Sequence, residues 1–214
     1  MIGVVAHTAR AEAAHTLMNT VHAAYLSMDD GTLGCNDNHK KVWAWLHNHR
    51  EHHQWLTVLE DDAVPQPDFV HQLNNALAAT DADVVSTYLG RHHIPTLDWE
   101  VRKQQAIDAA DNAGAHWIHS NHLLHAVAVS IRTTHTEAMW RHITKLPPMM
   151  PIDEALTHWI LNNGLTVAYT WPSLCDHADT PTLFRHHDKL PRPPGRIAYR
   201  TGTHTTWNSK AVTM

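Results

Sequence analysis

Trp55-Leu56-Thr57-Val58-Leu59, followed at once by Glu60-Asp61-Asp62, leaves this chain few folds to choose from. Five apolar and β-branched residues stopped by a polar cluster spell a buried strand, too short for a helix. Three successive carboxylates at its C-terminal end fall on the edge where open α/β sheets bind ligands. Adjacent carboxylates repel one another, so the cluster is stable only in water or opposite a cation. Hard oxygen donors suit Mg²⁺ or Mn²⁺, and Mg²⁺ pairs one or two protein carboxylates with substrate phosphate oxygens. The stretch points to a cation–diphosphate site rather than to a solvated acidic turn.

Strands alternate with helices around it. Ile2–Ala6 is a short apolar strand, and the loop after it places Thr8 and Arg10 where a nucleotide would lie. Leu17, Val21, Ala24 and Met28 recur at helical spacing, predicting a helix that ends at Asp29-Asp30-Gly31. Val42, Trp45, Leu46 and His49 mark a second helix, with Asn36 or Asp37 as its N-cap. A third helix covers 68–79, strands cover 83–88, 123–131 and 165–170, and further helices cover 134–145 and start at Ile152. Residues 89–121, which include His116 and Trp117, lose periodicity and read as an irregular polar segment, the kind that is functional or mobile in a compact domain. The expected fold is α/β, three-layered, with a mainly parallel central sheet. There is no GxGxxG and no P-loop lysine, so neither a dinucleotide site nor an NTPase is supported.

Composition sets further bounds. No apolar run approaches membrane-spanning length. Cys35 and Cys175 lie far apart and form no metal-type spacing, so reduced thiols in a cytoplasmic protein are expected. The 22 histidines are explained by a solvated polar face more cheaply than by metal storage. The charge is uneven. Residues 185–214 carry six bases against one acid, a net of +5, which leaves −10 for the rest of a chain whose total is −5. The expected organisation is a catalytic domain over 1–184 and a basic, Pro/Arg-rich tail over 185–214, extended or partly disordered from Pro191 until something binds it.

Leu33-Gly34-Cys35-Asn36-Asp37-Asn38-His39, a Trp-bearing helix and then Val58-Leu59-Glu60-Asp61-Asp62 resemble glycosyltransferase family twenty-five. That family includes lipooligosaccharide galactosyltransferases and the related collagen glycosyltransferases. Its pattern is approximately Gly-(small or Cys)-x-x-Ser-His, a helix, then an apolar strand ending Glu-Asp-Asp. Asn38 stands in place of the serine, while Gly34, Cys35, His39, Glu60, Asp61 and Asp62 match. A fainter likeness runs to about residue 180, through Ala126–Ser130, Pro151-Ile152-Asp153 and Pro172-Ser173-Leu174 with His177. The basic tail matches nothing in the family.

The resemblance implies a GT-A fold, a UDP-sugar donor such as UDP-glucose or UDP-galactose, Mn²⁺ or Mg²⁺, and inversion at the anomeric carbon. It implies that Asp62 holds the metal, with His177 completing its shell. Glu60 would orient the donor or contact its ribose, with Asp61 and His39 alongside. A carboxylate must also deprotonate the incoming hydroxyl. Asp153 is the expected base and Glu154 the reserve, although acids in a first helical turn also serve the helix dipole.

The acceptor is open between a 5-hydroxymethylpyrimidine base in DNA, a protein side chain and a saccharide. Small stand-alone relatives of this general type occur among phage enzymes that glycosylate hydroxymethylated DNA. A flipped base needs phosphate-gripping cations and an aromatic pocket, for which Arg192, Arg196, Arg200 and Trp207, with His116 and Trp117, are the candidates. The alternative of another class is a non-catalytic, His-rich binding protein on a degenerate transferase fold.

Overall fold

The computed structural model describes residues 1–91, 97–148, 150–181, 183 and 194–214. The chain begins with β1 (Ile2–His7), a 3-10 turn (Thr8–Arg10), α1 (Ala11–Thr20), β2 (Tyr25–Asp29) and α2 (Cys35–Asn48). It continues with β3 (Trp55–Glu60), β4 (Ala63–Pro65), α3 (Phe69–Ala79), β5 (Val84–Ser86), α4 (Leu97–Ala113), β6 (Trp117–Ser120) and β7 (Ala128–Arg132). It closes with α5 (Thr133–Ile143), α6 (Ile152–Asn162), β8 (Val167–Thr170), β9 (Cys175–His177) and β10 (Ala211–Thr213).

Eight strands form one mixed sheet in the order β10-β6-β8-β5-β7-β3-β1-β2. The pairings β1–β2, β1–β3, β5–β8 and β6–β10 are parallel, and β3–β7, β5–β7 and β6–β8 are antiparallel. β4 and β9 make a separate antiparallel ribbon. Helices cover both faces, which is why the strands read as unbroken apolar runs. Val5, Leu56, Val58 and Ile131 pack on one side with Leu46 of α2, Ile107 of α4, Met139 of α5 and Trp159 of α6. Ile2, Val4, Ala6 and Leu59 pack on the other with Leu17 of α1 and Leu73 of α3. The result is a three-layer α/β fold.

Four local expectations need correction. The first helix stops at Thr20 instead of running to Gly31, because His22 takes a left-handed backbone (φ 50°) and Ala24 N donates to Ile2 O at 2.8 Å. Tyr25–Asp29 is then free to pair with β1 as an edge strand. Neither Asn36 nor Asp37 caps α2; Gly34 does, with φ 80°, and both residues lie in the first turn. The Asp29 carboxylate organises that entry by accepting from Leu33 N at 3.0 Å and Gly34 N at 2.9 Å.

The segment expected to be irregular contains α4, a 17-residue helix. Its buried stripe passes through Ala106, Ile107 and Ala110 but also through Lys103, a fully buried cation that donates to Gly90 O at 2.9 Å and pairs with Glu100. The strand expected over 123–131 is shorter. Leu123 and Leu124 are buried but irregular, their N–H groups taken by Thr157 Oγ1 and Tyr169 Oη, and β7 starts only at Ala128.

The last residues are not extended. Arg91 N donates to Ile197 O, Tyr199 N to Leu89 O and Ala198 N to Asp176 Oδ1. Trp117 Nε1 donates to Asn208 O, Trp207 Nε1 to Gln72 Oε1, and β10 adds a parallel strand beside β6. The tail residues 194–214 thus fold back onto the domain.

Candidate functional site

Because β1, β2 and β3 are parallel, the loops that follow them leave from one edge of the sheet. Those loops carry Arg10, Gly34 with Cys35, and Asp61 with Asp62. The β4–β9 ribbon pairs Ala63 with His177, and Ala178 N donates to Asp62 O at 2.8 Å, which brings a fourth segment to the same place.

The cation that faces the acids is an arginine. Arg10 Nη1 donates to Asp61 Oδ1 at 2.8 Å and to Asp62 Oδ2 at 2.7 Å, while Nη2 reaches Pro181 O at 2.9 Å. His7 N donates to Asp61 Oδ2 at 2.7 Å, and His177 Nε2 stands 3.3 Å from Asp62 Oδ2. Burial pushes the Asp61 carboxyl above its ordinary range, and the His7 N–H and Arg10 only partly offset it. Burial acts on Asp62 as well, but His177 and Arg10 together hold its carboxyl below the ordinary value. Asp62 Oδ1 and His177 Nδ1 are buried and have no hydrogen-bond partner among the described residues. Asp62 and His177 thus set one carboxylate and one imidazole side by side, while Arg10 already neutralises the carboxylate pair. An open pocket of about 320 Å³ adjoins, lined by Arg10, Glu12, Asp61, Asp62, Ala178 and Thr180 among others. Thr8 lies exposed on the turn that carries Arg10.

Glu60 turns to α2. Its Oε1 lies 2.9 Å from Nε2 of His39, a side chain 1% exposed. Cys35, one turn earlier on the same helix, brings its thiol to the pair, so that the three donor atoms lie within 4.8 Å of one another. Burial, then the charges of Glu60 and Asp153, push the Cys35 thiol well above its ordinary pKa. Asn38 donates from Nδ2 to Ala6 O at 3.0 Å and Ser27 O at 3.1 Å, tying α2 to β1 and β2.

Asp153 and Glu154 begin α6, and they differ. Glu154 is exposed, whereas Asp153 is largely shielded. Burial pushes the Asp153 carboxyl up to about 7, with repulsion from Glu60 and Glu154 adding to it. Asp153 therefore belongs to the Glu60–Cys35 side of the site, while Glu154 faces away into water.

Of the expected acceptor residues, Arg196 adjoins the pocket through Thr180, whereas His116, Trp117 and Arg200 lie elsewhere. Trp117 is on β6, four strands from β3 in the sheet order, about 19 Å at the usual strand spacing. It is buried, and His116 stacks on His204 at 3.5 Å and accepts from Asn208 N through Nδ1. Arg200 pairs with Asp111 and lies 4.4 Å over Trp171. Arg196 donates to Thr180 O at 3.1 Å and stands 3.9 Å from Asp179. Arg192 lies outside the described residues.

Sequence reasoning placed Cys35 in the motif but gave it no ligand role, and it missed Asp29 and the direct Arg10–carboxylate contact. The i, i+4 spacing of Cys35 and His39 was the available signal for the ligand role. No family model matches the chain, and a search of curated proteins finds no match. Among the described residues, no helix is long and apolar enough to cross a membrane.

Proposed function

We propose that the protein is a metal-dependent glycosyltransferase of GT-A type that moves a hexose from a UDP-sugar to an acceptor hydroxyl with inversion. The observation that carries the reading is the convergence of Arg10, Asp61 and Asp62 on a pocket at the C-terminal edge of β1 and β3, with His177 against Asp62 and with Asp153 on the Glu60 side. Asp62 and His177 would hold Mn²⁺ or Mg²⁺, which when bound neutralises charge on the departing diphosphate. Arg10 contributes a fixed positive charge on the same wall. Glu60, braced by His39, orients the donor from the strand end.

Asp153 is the base. A carboxyl with pKa near 7 is half ionised at neutral pH and is poised to take a proton. It removes the proton of the acceptor hydroxyl as that oxygen bonds to the anomeric carbon, and the bond from that carbon to the diphosphate oxygen breaks. The diphosphate leaves with the electron pair. The shielding of Asp153 and the exposure of Glu154 favour this choice between the two.

A nucleic-acid acceptor loses support from Arg196 and Arg200, whose charges are met within the chain. The proposal is therefore limited to an acceptor hydroxyl. The test is donor hydrolysis: UDP release from UDP-glucose and UDP-galactose, with Mn²⁺ and with chelator. Metal-dependent release that disappears in Asp62→Ala supports the reading, and no release from any UDP-sugar with any divalent ion would reject it.

A further inference from the structure

Cys35, His39 and Glu60 form a donor set that glycosyl transfer does not use in full. The first two are four residues apart on α2, so their side chains lie on one helix face, the spacing by which helices commonly present paired metal ligands. Glu60 reaches them from the end of β3. All three donor atoms lie within 4.8 Å of one another, close enough for one ion to touch each after small rotamer adjustments.

The backbone around them is fixed. Gly34 N is held by Asp29, Asn38 ties the same helical turn to β1 and β2, and Val42 and Leu46 further along α2 are fully buried. His39 is 1% exposed, and its Nδ1 has no hydrogen-bond partner among the described residues. A buried imidazole with one nitrogen unsatisfied and the other on a carboxylate is costly to keep for packing alone.

We infer that Cys35, His39 and Glu60 form a binding site for a thiophilic divalent cation of the Zn²⁺ class, distinct from the oxygen-rich Asp62–His177 position. A sulfur, a nitrogen and an oxygen make three protein ligands, the number that leaves a fourth position of a tetrahedral ion open. Sulfur and imidazole select Zn²⁺ and Co²⁺ over Mg²⁺, whereas the carboxylates of Asp61 and Asp62 favour the harder ions. Bound there, the ion replaces the His39–Glu60 hydrogen bond with a shared ligand and pins the end of β3 to the first turn of α2. This inference does not rest on the glycosyltransferase reading, since its readout requires no substrate.

The experiment is a Co²⁺ titration of the full chain, followed by sulfur-to-cobalt charge-transfer absorption. That band reports thiolate ligation alone and is blind to cobalt on the many surface histidines. A band is expected in the parent protein and in Cys175→Ser, with none in Cys35→Ser and a weakened one in Glu60→Gln. Zn²⁺ should bleach it, and Mg²⁺ should not. Serine is small and polar at a first helical position, so Cys35→Ser should fold, and circular dichroism checks that it has. A parent protein without the band, a band that survives in Cys35→Ser, or one that Mg²⁺ removes would overturn the inference.

Discussion

Arg10 Nη1 and Asp62 Oδ2 are 2.7 Å apart, so the guanidinium already stands where a carboxylate pair asks for a cation. Both side chains are largely buried, at 16% and 13% exposure, and the partner of a broken buried pair is left uncompensated. Arg10→Gln should lower stability by about 3 kcal/mol, the low end for removing one member of such a pair. Mn²⁺ should recover part of the loss, giving a larger rise in Tm in the variant than in the parent. Calorimetry with and without Mn²⁺ measures both, and equal shifts would remove the acidic pair from metal binding.

Asp153→Asn should act on rate and stability in opposite directions. Loss of a general base typically costs about 10²–10⁴-fold in turnover. The folded carboxyl titrates near 7, above its ordinary 3.8, so the folded state holds the extra proton between those values. Stability from this group therefore falls as pH rises from about 4 to 7 and stays low above that. Asparagine removes the fall. The variant should melt higher than the parent at pH 8 and similarly at pH 4, whereas a variant melting lower at pH 8 would contradict the burial argument.

Asp62 has the reverse sign. Its folded pKa is depressed, so its stabilising contribution is present at neutral pH and is lost as pH falls through the folded value. Asp62→Asn should flatten the acid limb of the melting curve below about pH 4. An unchanged acid limb would mean that His177 and Arg10 do not hold this carboxylate.

Gly3 is set by proximity. A Cβ there would lie 2.7 Å from Val42 Cγ1 and 3.2 Å from Leu46 Cδ1, both in the buried face of α2. Gly3→Ala should cost about 1–3 kcal/mol through overpacking. Val42→Ala, added to it, should cost less than in the parent, and a denaturation double-mutant cycle reads that coupling. Strict additivity would mean that α2 shifts freely on β1.

Arg196 and Arg200 are engaged within the chain, so their joint replacement by Ala should leave the salt dependence of any duplex-DNA binding unchanged. Each true phosphate contact would change the slope of log K against log salt by about 0.9. A slope flattened by about two units would return DNA to the list of acceptors.

The sequence made the centre of the fold legible and left its margins obscure. β3 and the acidic turn could be read because strand, stop signal and carboxylates are consecutive, and α3 and α5 because their apolar residues recur without interruption. β2 was hidden because Ala24 and Met28 continue the spacing of Leu17 and Val21, so helix and strand templates overlap. α4 was hidden by Lys103, which occupies a core position and is satisfied by Gly90, Glu100 and the Tyr199 ring from the tail. In the site, the need for a cation near Asp61 and Asp62 was readable. That Arg10 meets it depends on a turn geometry set by His7 and Pro181, which no local pattern encodes.

The pairings that build the site join distant parts of the chain. Ile2 lies opposite Thr57, Ala63 opposite His177, and Gly90 opposite Ala198. Such closures are entropically expensive until the contacts they permit have formed, which slows folding in mixed α/β chains. Arg10, Asp62 and His177 can therefore meet only late, after nearly the whole sheet has been ordered. Ligand-binding competence should appear in the slowest refolding phase, well after helical signal has returned.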